Sequence, residues 1–520
     1  MVTKKYPDLV ASVRRHARER MDAPAVVFEG RSTSYGELQR HSSRVANGLA
    51  ARLSPQARVA YLDFNTAMYF EILLGAQKAR CTLVGINARL AAPEVAYILQ
   101  DSGTRVLFVG REHYALIEAH ESELTELEFI VALDGDHPRW PAYADWRAAQ
   151  SEVDPEFERQ WDDDIVQLYT SGTTGHPKGV CHTRRTWGEI ALALATVWPL
   201  AFERDAVNLV CMPLFHVAGY NPANFTLVGG GQVVLTRRID PAEVLELLHS
   251  QAVNVTLLVP AVLLTVVQSA QQRKLRLPHL RTVAYGAAPM AQELLKQARA
   301  IFRCDFLHLY GLTENGGTGT YLSSEMHDPV RGKLRSCGKP YPGLELRIVD
   351  EAGNEVPAGE VGEIIMKSPW IMRCYWRQPE ATLDAVREGW LWSGDAGYVD
   401  GDGFLYIHDR VKDMVKTGGE NVYPAEVENA LYGHAAIADV GVVGVPDERW
   451  GEAVKAVVVL KPGAVLDVQD ILRHARERIA GFKVPKSVDV VDELPRNASG
   501  KLLRRVLRDR YWQGRERKVN

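Results

Sequence analysis

The chain has 520 residues, which is too long for one hydrophobic core, so we expect two or more domains. Its hydrophobic fraction of 46% and its charged fraction of 24% are those of an ordinary globular protein. The net charge is −4 with both signs interspersed, which excludes a basic face for nucleic acid. Anionic ligands must then be bound by local clusters.

Cysteine spacing and hydropathy indicate the compartment. The six cysteines are scattered without a C-x-x-C pair or a metal-binding spacing, and we interpret them as small buried side chains in a reducing environment. The first residues lack the apolar segment of a signal peptide, and no apolar run has the length of a membrane-spanning helix. We therefore expect a cytoplasmic protein without a membrane span.

Helix and strand patterns alternate along most of the chain. A helix is predicted to begin after Ser34, because Glu37 completes a capping box. Short apolar strands that alternate with helices indicate βα units, so we predict an α/β fold with a largely parallel sheet. The other predicted helices are 6–20, 93–100 and 241–253, and the predicted strands are 25–28, 105–109, 165–168 and 255–259.

A loop rich in glycine and hydroxyl groups follows the strand at 165–168. It covers residues 169–179, Y-T-S-G-T-T-G-H-P-K-G. Glycine lets backbone N–H groups approach a ligand closely, and the hydroxyls and Lys178 add further donors. These groups suit an oligophosphate, so we predict a nucleoside triphosphate site. Pro177 stands where the common P-loop requires a G-K pair, and a solvated turn is the alternative.

Two features near this loop have structural interpretations. The acidic run W-D-D-D at residues 161–164 is typical of a solvated strand entry. His216 lies among apolar residues in M-P-L-F-H-V-A-G, and such a histidine is, by itself, more often structural than functional.

Two further strands end in turns of small residues, at 282–289 and 306–314. Ligands of open α/β sheets bind outside the carboxyl ends of the strands, where these turns would lie. In that position Tyr310 could stack on a base, Thr313 could reach a phosphate, and Glu314 could hold Mg²⁺. Each turn is common when taken alone.

Carboxylates and turns mark the last part of the chain. Asp395, in S-G-D, can accept hydrogen bonds from both hydroxyls of a ribose. The D-G-D-G segment at 400–403 resembles a calcium loop but has Val411 at the twelfth position, so we predict a hairpin turn. A charged segment and a new α+β pattern follow, which predicts domains at residues 1–409 and 410–520.

Together these segments resemble the adenylate-forming superfamily of acyl-CoA synthetases, peptide-synthetase adenylation domains and beetle luciferases. The resemblance implies a large, layered N-terminal domain with mostly parallel sheets and a small, mobile α+β C-terminal domain, with the active site between them. The motifs span nearly the whole chain in the order of the family: 169–179, 310–314 (Y-G-L-T-E), 393–395 (S-G-D), 409–412 (D-R-V-K) and 497–501 (N-A-S-G-K).

The resemblance also implies an AMP-forming reaction in two steps. A carboxylate attacks the α-phosphate of ATP to give an acyl-adenylate, and a thiol then displaces AMP to give a thioester. Because both reactants are anions, cations must neutralise them. By this resemblance Lys501 bridges the carboxylate and the α-phosphate, Mg²⁺ on Glu314 offsets the triphosphate, Thr313 assists at the phosphates, and His216 lies beside the acyl carboxylate.

The remaining nucleotide contacts are carried over residue by residue. Lys412 matches the hinge about which the small domain rotates, and Gly418 and Gly419 would then help to build the thiol tunnel. The expected ATP contacts are Thr170, Ser171, Gly172, Thr173, Thr174, Gly175 and Lys178 for pyrophosphate, Gly286, Ala287, Ala288, Tyr310 and Gly311 for adenine, and Asp395 and Arg410 for ribose.

Coenzyme A is the expected thiol, because no carrier segment follows Lys501. Three turns also resemble those of chlorobenzoate and hydroxycinnamate CoA ligases: 87–90 (N-A-R-L), 449–452 (R-W-G-E) and 481–486 (G-F-K-V-P-K). Ala88 stands where their N-P-R-L turn has proline. The alternative is that these side chains are ordinary surface residues. The expected coenzyme A contacts are Arg89, Trp450, Phe482, Lys483 and Lys486.

The expected acyl pocket is mostly apolar and contains no cation, which favours a monocarboxylic acid with an apolar or aromatic body. Gly316 and Gly317 would leave room for more than acetate, and Asn221 or Asn315 could bind a ring hydroxyl. A medium-chain fatty acid, a benzoate and a hydroxycinnamate all stay open. The expected lining residues are Trp187, Val217, Ala218, Tyr220, Asn221, Ala287, Met290, Leu312, Asn315 and Gly316.

Three other functions stay open at this point. The chain could be a stand-alone adenylation enzyme that loads a separate carrier protein, a luciferase-like oxygenase, or a non-catalytic binding protein on the same fold. The complete set of motif residues disfavours the last of these. A homodimer stays open as well.

Overall fold

The structure is a computed structural model that describes residues 6–170, 177–288, 290, 292–410, 413–417, 420–496 and 502–513, without the side chains of residues 409, 410 and 421. Its first elements, in chain order, are α1 (Leu9–Glu19), β1 (Pro24–Phe28), β2 (Arg31–Ser34), α2 (Tyr35–Ala50), β3 (Arg58–Leu62), α3 (Met68–Lys78), β4 (Thr82–Gly85), α4 (Ala92–Ser102), β5 (Thr104–Val109), α5 (Tyr114–His120), β6 (Phe129–Ala132), α6 (Tyr143–Ala148), β7 (Asp164–Thr170) and β8 (Lys178–Thr183).

The middle of the chain continues the alternation and then turns to strands. Its elements are α7 (Arg184–Val197), β9 (Val207–Val210), α8 (Val217–Gly229), β10 (Gln232–Leu235), α9 (Pro241–Ser250), β11 (Val255–Leu257), α10 (Pro260–Arg273), β12 (Thr282–Gly286), α11 (Gln292–Phe302), β13 (Asp305–Tyr310), β14 (Thr320–Leu322), β15 (Lys339–Pro340), β16 (Glu345–Val349), β17 (Gly362–Lys367), β18 (Cys374–Tyr375), α12 (Pro379–Ala385), β19 (Val386–Arg387), β20 (Trp390–Val399) and β21 (Leu405–Arg410).

The last part of the chain forms its own small sheet. Its elements are β22 (Val415–Thr417), β23 (Glu420–Val422), α13 (Pro424–Tyr432), β24 (Ile437–Asp447), β25 (Gly451–Leu460), α14 (Val468–Arg476), β26 (Ser487–Val490) and α15 (Arg504–Asp509).

Two large sheets form the body of the protein. The first has the order β15-β14-β13-β12-β11-β9-β10-β1-β2, and its central pairs, from β13 to β1, are parallel. The second has the order β18-β8-β7-β4-β3-β5-β6, and its pairs from β7 to β6 are parallel. One apolar core draws residues from both sheets and from the helices between them. The predicted α/β fold with mostly parallel sheets is therefore confirmed.

The two smaller sheets are largely antiparallel. One has the order β16-β17-β20-β19, with β21 paired to β20, and the other has the order β23-β22-β25-β24, with β26 paired to β25. The fourth sheet uses strands from β22 onward and packs helices α13 and α14 around its own apolar cluster, as expected for a separate α+β unit. The boundary at residue 409/410 stays a prediction.

Short-range signals in the sequence predict the start of α2 and the turn between β20 and β21, but not the end of α9. Ser34 caps α2, with the Glu37 N–H donating to its hydroxyl and the Glu37 carboxylate accepting from the Ser34 N–H, as predicted. The predicted helix at 241–253 is too long, because α9 ends at Ser250 and Ala252 adopts a left-handed φ of 50°. The D-G-D-G segment is a hairpin turn between β20 and β21, as predicted.

The interpretation of the acidic run as a solvated strand entry is wrong for two of its three aspartates. Asp163 and Asp164 are buried, whereas Asp162 is exposed. Asp164 accepts hydrogen bonds from Arg58 at 2.8 Å and from the Arg373 Nε at 2.8 Å. Carboxylates at this depth require such cationic partners. The arginines come from distant segments, so the local run of like charges could not reveal them.

A buried lysine joins the two helices that pack most closely in the N-terminal half. The Lys78 ammonium at the end of α3 donates to the Gln39 side chain and to the hydroxyls of Ser42 and Ser43 in α2, at 2.9 to 3.0 Å. Burial lowers the pKa of Lys78 from its usual 10.5 to about 7. Its protonation state therefore couples folding to pH.

Most of the cysteines are buried, as we expected from their scattered positions in the sequence. All six cysteines are free thiols; four are buried, while Cys304 and Cys374 are half-buried. Among the described residues, no helix combines the length and the apolar character that crossing a membrane requires.

Candidate active site

The predicted phosphate loop joins two paired strands. Thr170, at the end of β7, lies opposite Lys178, at the start of β8. A Cβ on Gly179 would lie 2.5 Å from the Gln167 Nε2 and 3.1 Å from the Tyr169 Cζ, so a larger residue would have to move these side chains. The Tyr169 hydroxyl donates to Asp101 at 2.6 Å. The flanks of the loop are thus fixed, while Ser171, Gly172, Thr173, Thr174 and Gly175 lie outside the described residues.

A tyrosine and a carboxylate meet at the end of β13. The Tyr310 hydroxyl donates to the Asp395 carboxylate at 2.7 Å, and Asp395 is only 6% exposed. In the β20–β21 hairpin the backbone of Asp395 pairs with that of Arg410, whose side chain is not described. The structure therefore brings together the predicted base-stacking and ribose-binding residues.

The turn after β13 carries Thr313 and Glu314. The Tyr375 hydroxyl donates to Glu314 Oε1 at 2.6 Å, and the Met372 N–H donates to the Glu314 carbonyl at 2.6 Å. Burial lowers the pKa of His182, so its neutral ring donates from Nε2 to the Thr313 carbonyl at 2.7 Å. The Lys178 ammonium lies 4.9 Å from the centre of the Tyr375 ring. Lys178 of the loop and Glu314 of the turn therefore both contact Tyr375.

Tyr375 and His182 were not among the sequence-predicted residues. Tyr375 lies on a strand of two residues, β18, which is too short to give a periodic signal. His182 lies near the end of β8, between Cys181 and Thr183, and a single histidine in a short strand gives no signal of a contact with a distant turn. The one feature of the sequence that pointed to His182 is its position on the strand that follows the predicted phosphate loop.

The turn after β12 is narrow. A Cβ on Gly286 would lie 2.1 Å from the Leu309 carbonyl oxygen on the neighbouring strand, which excludes a side chain there. Ala287 adopts a left-handed φ of 64°, which is strained for a residue with a Cβ. Ala287 is exposed and Ala288 half-buried, and Gly311 follows Tyr310 on the next strand. The turn that follows β12, next to β13 and Tyr310, therefore consists of small residues.

The expected acyl pocket divides into a buried part and an open part. Trp187 Nε1 donates to the Asn221 side-chain oxygen at 3.1 Å, and the Asn221 amide donates to the Gly316 carbonyl at 2.8 Å. A Cβ on Gly316 would lie 2.2 Å from Ile190 Cδ1, so this end is filled by protein. Tyr220 and Asn315 are also buried.

Both candidate asparagines are therefore engaged within the protein. Asn315 Oδ1 accepts from the Leu312 N–H at 2.8 Å, and the Asn221 amide is bonded at both ends. This arrangement does not support the predicted contact of either amide with a ring hydroxyl.

The open part lies around Gly317. An added Cβ there would meet only Val217, at 3.8 Å. His216 caps α8, and its Nδ1 accepts from the Ala218 N–H at 3.2 Å. The half-buried side chains of this part are His216, Val217, Ala218, Met290 and Leu312.

The predicted coenzyme A residues lie on the surface, apart from one. Trp450 and Phe482 are each 39% exposed, as flat aromatic surfaces for a ligand require. Arg89 and Lys486 are exposed. Lys483 instead donates to both carboxylate oxygens of Glu426, at 2.7 and 2.8 Å. Its charge is therefore already neutralised by the protein.

The ends of the C-terminal lysine loop are fixed, although Lys501 itself, like Lys412, Gly418 and Gly419, lies outside the described residues. Arg496 forms an isolated bridge with Leu502 that closes the base of the loop. Arg496 also donates to both oxygens of Asp439, at 2.9 and 2.7 Å. Arg504 donates to both oxygens of Glu428, at 3.1 and 2.6 Å.

Two family models match this chain. Residues 13–376 match the family described as AMP-binding enzyme, and residues 426–501 match the AMP-binding enzyme C-terminal domain. The fatty acid--[acyl-carrier-protein] ligase ScoC of Streptomyces coeruleorubidus is 40% identical over 98% of both chains. The feruloyl-CoA synthase of an Amycolatopsis species is 39% identical over 96% of this chain and 98% of its own.

A solved structure supports the same relationship. The anthranilate CoA ligase AuaEII, in complex with anthranoyl-AMP, matches with a TM-score of 0.89 and 27% identity, over 97% of each chain.

Proposed function

This chain belongs to the AMP-binding enzyme family, and from that premise we propose that it activates a monocarboxylic acid with ATP and transfers the acyl group to a thiol. It is an enzyme of the ligase class, and ATP use is supported by the family and by its ATP-bound structural neighbours. The identity of the acid, the thiol and the individual residue roles are parts of the proposal.

One observation carries the proposal. Tyr310, at the carboxyl end of β13, contacts Asp395, and Glu314, four residues further along the chain, contacts Tyr375, whose ring lies beside Lys178. The first pair offers an aromatic face and a carboxylate, which suit adenine and ribose. The second offers a cation and an anionic oxygen ligand, which suit a metal-bound triphosphate.

Mg²⁺ fits the donors at this place. Among the described residues, no group of three or more histidines, cysteines and acids could form a protein cage for a metal. Mg²⁺ is, however, commonly held by one or two carboxylates together with substrate phosphates. Glu314 is half-buried beside the loop and supplies one such carboxylate. When bound, the ion would neutralise phosphate charge.

The chain's own groups then account for the first step. The carboxylate of the acid attacks the α-phosphorus of ATP, the bond to pyrophosphate breaks, and Lys178 with the loop donors stabilises the leaving pyrophosphate. Asp395 fixes the ribose, so the α-phosphate is held near the attacking oxygen. Lys501 would screen the repulsion between the two anions.

The acid is proposed to have an apolar or aromatic body of moderate length. The Trp187–Asn221–Gly316 hydrogen-bond chain fills one end of the proposed pocket, where the Trp187 ring stacks on Phe225 at 5.8 Å and Phe225 stacks on Phe202 at 4.8 Å. A long alkyl chain would have to displace these groups. Among the described residues, the side chains around the open part at Gly317 are His216, Val217, Ala218, Met290 and Leu312, and none of them is a lysine or arginine that could bind a second carboxylate. The names of the fatty-acid and feruloyl relatives support this range of substrates.

Free coenzyme A is the proposed acceptor, supported by the exposed rings of Trp450 and Phe482 and by the name of the feruloyl-CoA relative. An acyl carrier protein is the second candidate. The name of ScoC and the neutralised charge of Lys483 favour it. Both acceptors present the same phosphopantetheine thiol, so the active-site chemistry does not separate them.

The test is ATP–pyrophosphate exchange across a panel of acids, followed by addition of either coenzyme A or holo acyl carrier protein to the best acid. We expect exchange with octanoate, benzoate or 4-hydroxycinnamate and weak exchange with acetate, then thioester on coenzyme A. Thioester on the carrier protein alone would assign the second acceptor. The absence of exchange with every acid would contradict the proposal.

Lys501 and Lys412 divide the two half-reactions. Lys501→Ala should nearly abolish adenylate formation yet largely spare thioester formation from supplied acyl-adenylate. Lys412→Pro should impair the second step more, because it restricts rotation about the proposed hinge. Equal losses in both half-reactions for both variants would contradict these roles.

A further inference from the structure

Tyr375 is a central contact of the site, although it belongs to none of the five sequence motifs. It is 8% exposed and lies on β18, which pairs with β8 directly behind the phosphate loop. Its hydroxyl donates to Glu314 Oε1 at 2.6 Å, and its ring lies 4.9 Å from the Lys178 ammonium. One side chain therefore contacts both charged groups that are proposed to face the triphosphate.

The backbone around Tyr375 makes this contact rigid. The Met372 N–H donates to the Glu314 carbonyl at 2.6 Å, and the Trp376 N–H donates to the Gly179 carbonyl at 2.7 Å. On the outer side, Arg373 is bonded to the buried Asp164. Residues 372–376 thus fasten the Glu314 turn to the strand that leaves the loop.

We propose that Tyr375 is a positioning residue that orients the Glu314 carboxylate and the Lys178 ammonium for binding of metal–ATP. This inference rests on the proposed function. A glutamate side chain has several rotatable bonds, and a charge-assisted hydrogen bond to one carboxylate oxygen restricts their rotation. Oε1 is committed to the hydroxyl, so Oε2 is the oxygen that the carboxylate presents to a ligand.

The ring makes a separate contribution. The face of an aromatic ring attracts an ammonium group, so Tyr375 keeps the long Lys178 side chain near the turn instead of in solvent. The same ring packs with Val180 and Met372 in a small apolar cluster. Phenylalanine retains the ring and its packing but removes the hydroxyl, whereas leucine removes both contacts. The two substitutions therefore separate the orientation of Glu314 from that of Lys178.

Tyr143 provides a matched control. Its buried hydroxyl donates to the Glu71 carboxylate at 2.7 Å, which is the same kind of bond at a place outside the site. Tyr143→Phe and Tyr375→Phe therefore make the same chemical change. If the hydroxyl of Tyr375 only stabilised the fold, both variants would show the same lowered thermal midpoint and unchanged nucleotide binding.

The experiment measures binding of Mn²⁺–ATP by electron paramagnetic resonance, together with the Mg²⁺ dependence of acid-dependent pyrophosphate exchange. For Tyr375→Phe we expect binding about tenfold weaker and a higher Mg²⁺ concentration at half-maximal exchange, with the KM for the acid unchanged. Tyr375→Leu should lower exchange further, because Lys178 loses its contact as well. Tyr143→Phe should bind Mn²⁺–ATP like the wild type.

A second variant keeps the test valid if Tyr375→Leu does not fold. In a Glu314→Gln background the hydroxyl has no carboxylate to orient, so adding Tyr375→Phe should weaken Mn²⁺–ATP binding little further. Fully additive losses, or wild-type binding by Tyr375→Phe, would overturn the inference. A wild type that neither binds Mn²⁺–ATP nor exchanges pyrophosphate would instead overturn the proposed function.

Discussion

Replacing Gly317 by alanine should change which acids the enzyme accepts. An added Cβ at this residue meets only Val217 Cγ2, at 3.8 Å, so the methyl group would enter the open part of the pocket. The backbone has a φ of 77°, and a non-glycine residue there costs about 1–2 kcal/mol. The variant should therefore fold with a modestly lower thermal midpoint.

The effect on activity should depend on the size of the acid. One methyl group too many in a filled apolar pocket costs about 1–3 kcal/mol, or roughly 5- to 150-fold in kcat/KM. We expect this loss for octanoate and 4-hydroxycinnamate and little change for propionate, which does not fill the pocket. Pyrophosphate exchange with each acid measures the difference.

Gly316→Ala is the contrasting variant. Its methyl group would lie 2.2 Å from Ile190 Cδ1 in the core, so it should lower the thermal midpoint much more and act on all acids alike. If Gly317→Ala instead lowered exchange by the same factor for propionate and octanoate, Gly317 would not line the acyl pocket and the reasoning would be refuted.

Three further predictions concern buried charges and hydroxyls. Asp164→Asn should lower the free energy of unfolding by about 3–5 kcal/mol, because its arginine partners lose their counter-charge; a change no larger than that of exposed Asp162→Asn in urea unfolding would contradict this. The pKa of Lys78 falls to about 7 on folding, so above pH 7 the unfolded state binds more protons and stability should rise with pH toward 10.5. Between pH 7 and 9 the thermal midpoint should therefore rise more in the wild type than in Lys78→Met. The same pH dependence of the midpoint in both proteins would contradict the lowered pKa of Lys78. Tyr310→Phe should raise the KM for ATP about tenfold by freeing Asp395, and an unchanged KM would exclude that role.

Elements with a strong local signal were predictable from the sequence. The alternating strands and helices, the capping box at Ser34 and the glycine-rich loop each depend on residues that are neighbours in the chain. The resemblance to the family also predicted that Tyr310 and Asp395 lie at the same nucleotide site, because each belongs to one of the family's motifs. These are the parts of the fold and site that local chemistry determines.

Contacts between distant segments were not predictable in the same way. Tyr375 reaches Glu314 only because β18 pairs with β8, and a strand of two residues carries no period. The burial of Asp164 depends on arginines that are far away in sequence. Asn221 looked available for a substrate hydroxyl because its partners, Trp187 and Gly316, meet it only in the folded chain.

In the proposed first step, a carboxylate oxygen of the acid attacks the α-phosphorus of ATP. Turnover of an accepted acid labelled with ¹⁸O in its carboxyl group tests it most directly, by mass spectrometry of the products after transfer to the thiol. Attack at the α-phosphorus predicts one ¹⁸O atom in AMP and none in pyrophosphate. Unlabelled AMP, with ¹⁸O in orthophosphate or pyrophosphate, would mean attack at another phosphorus and would contradict it.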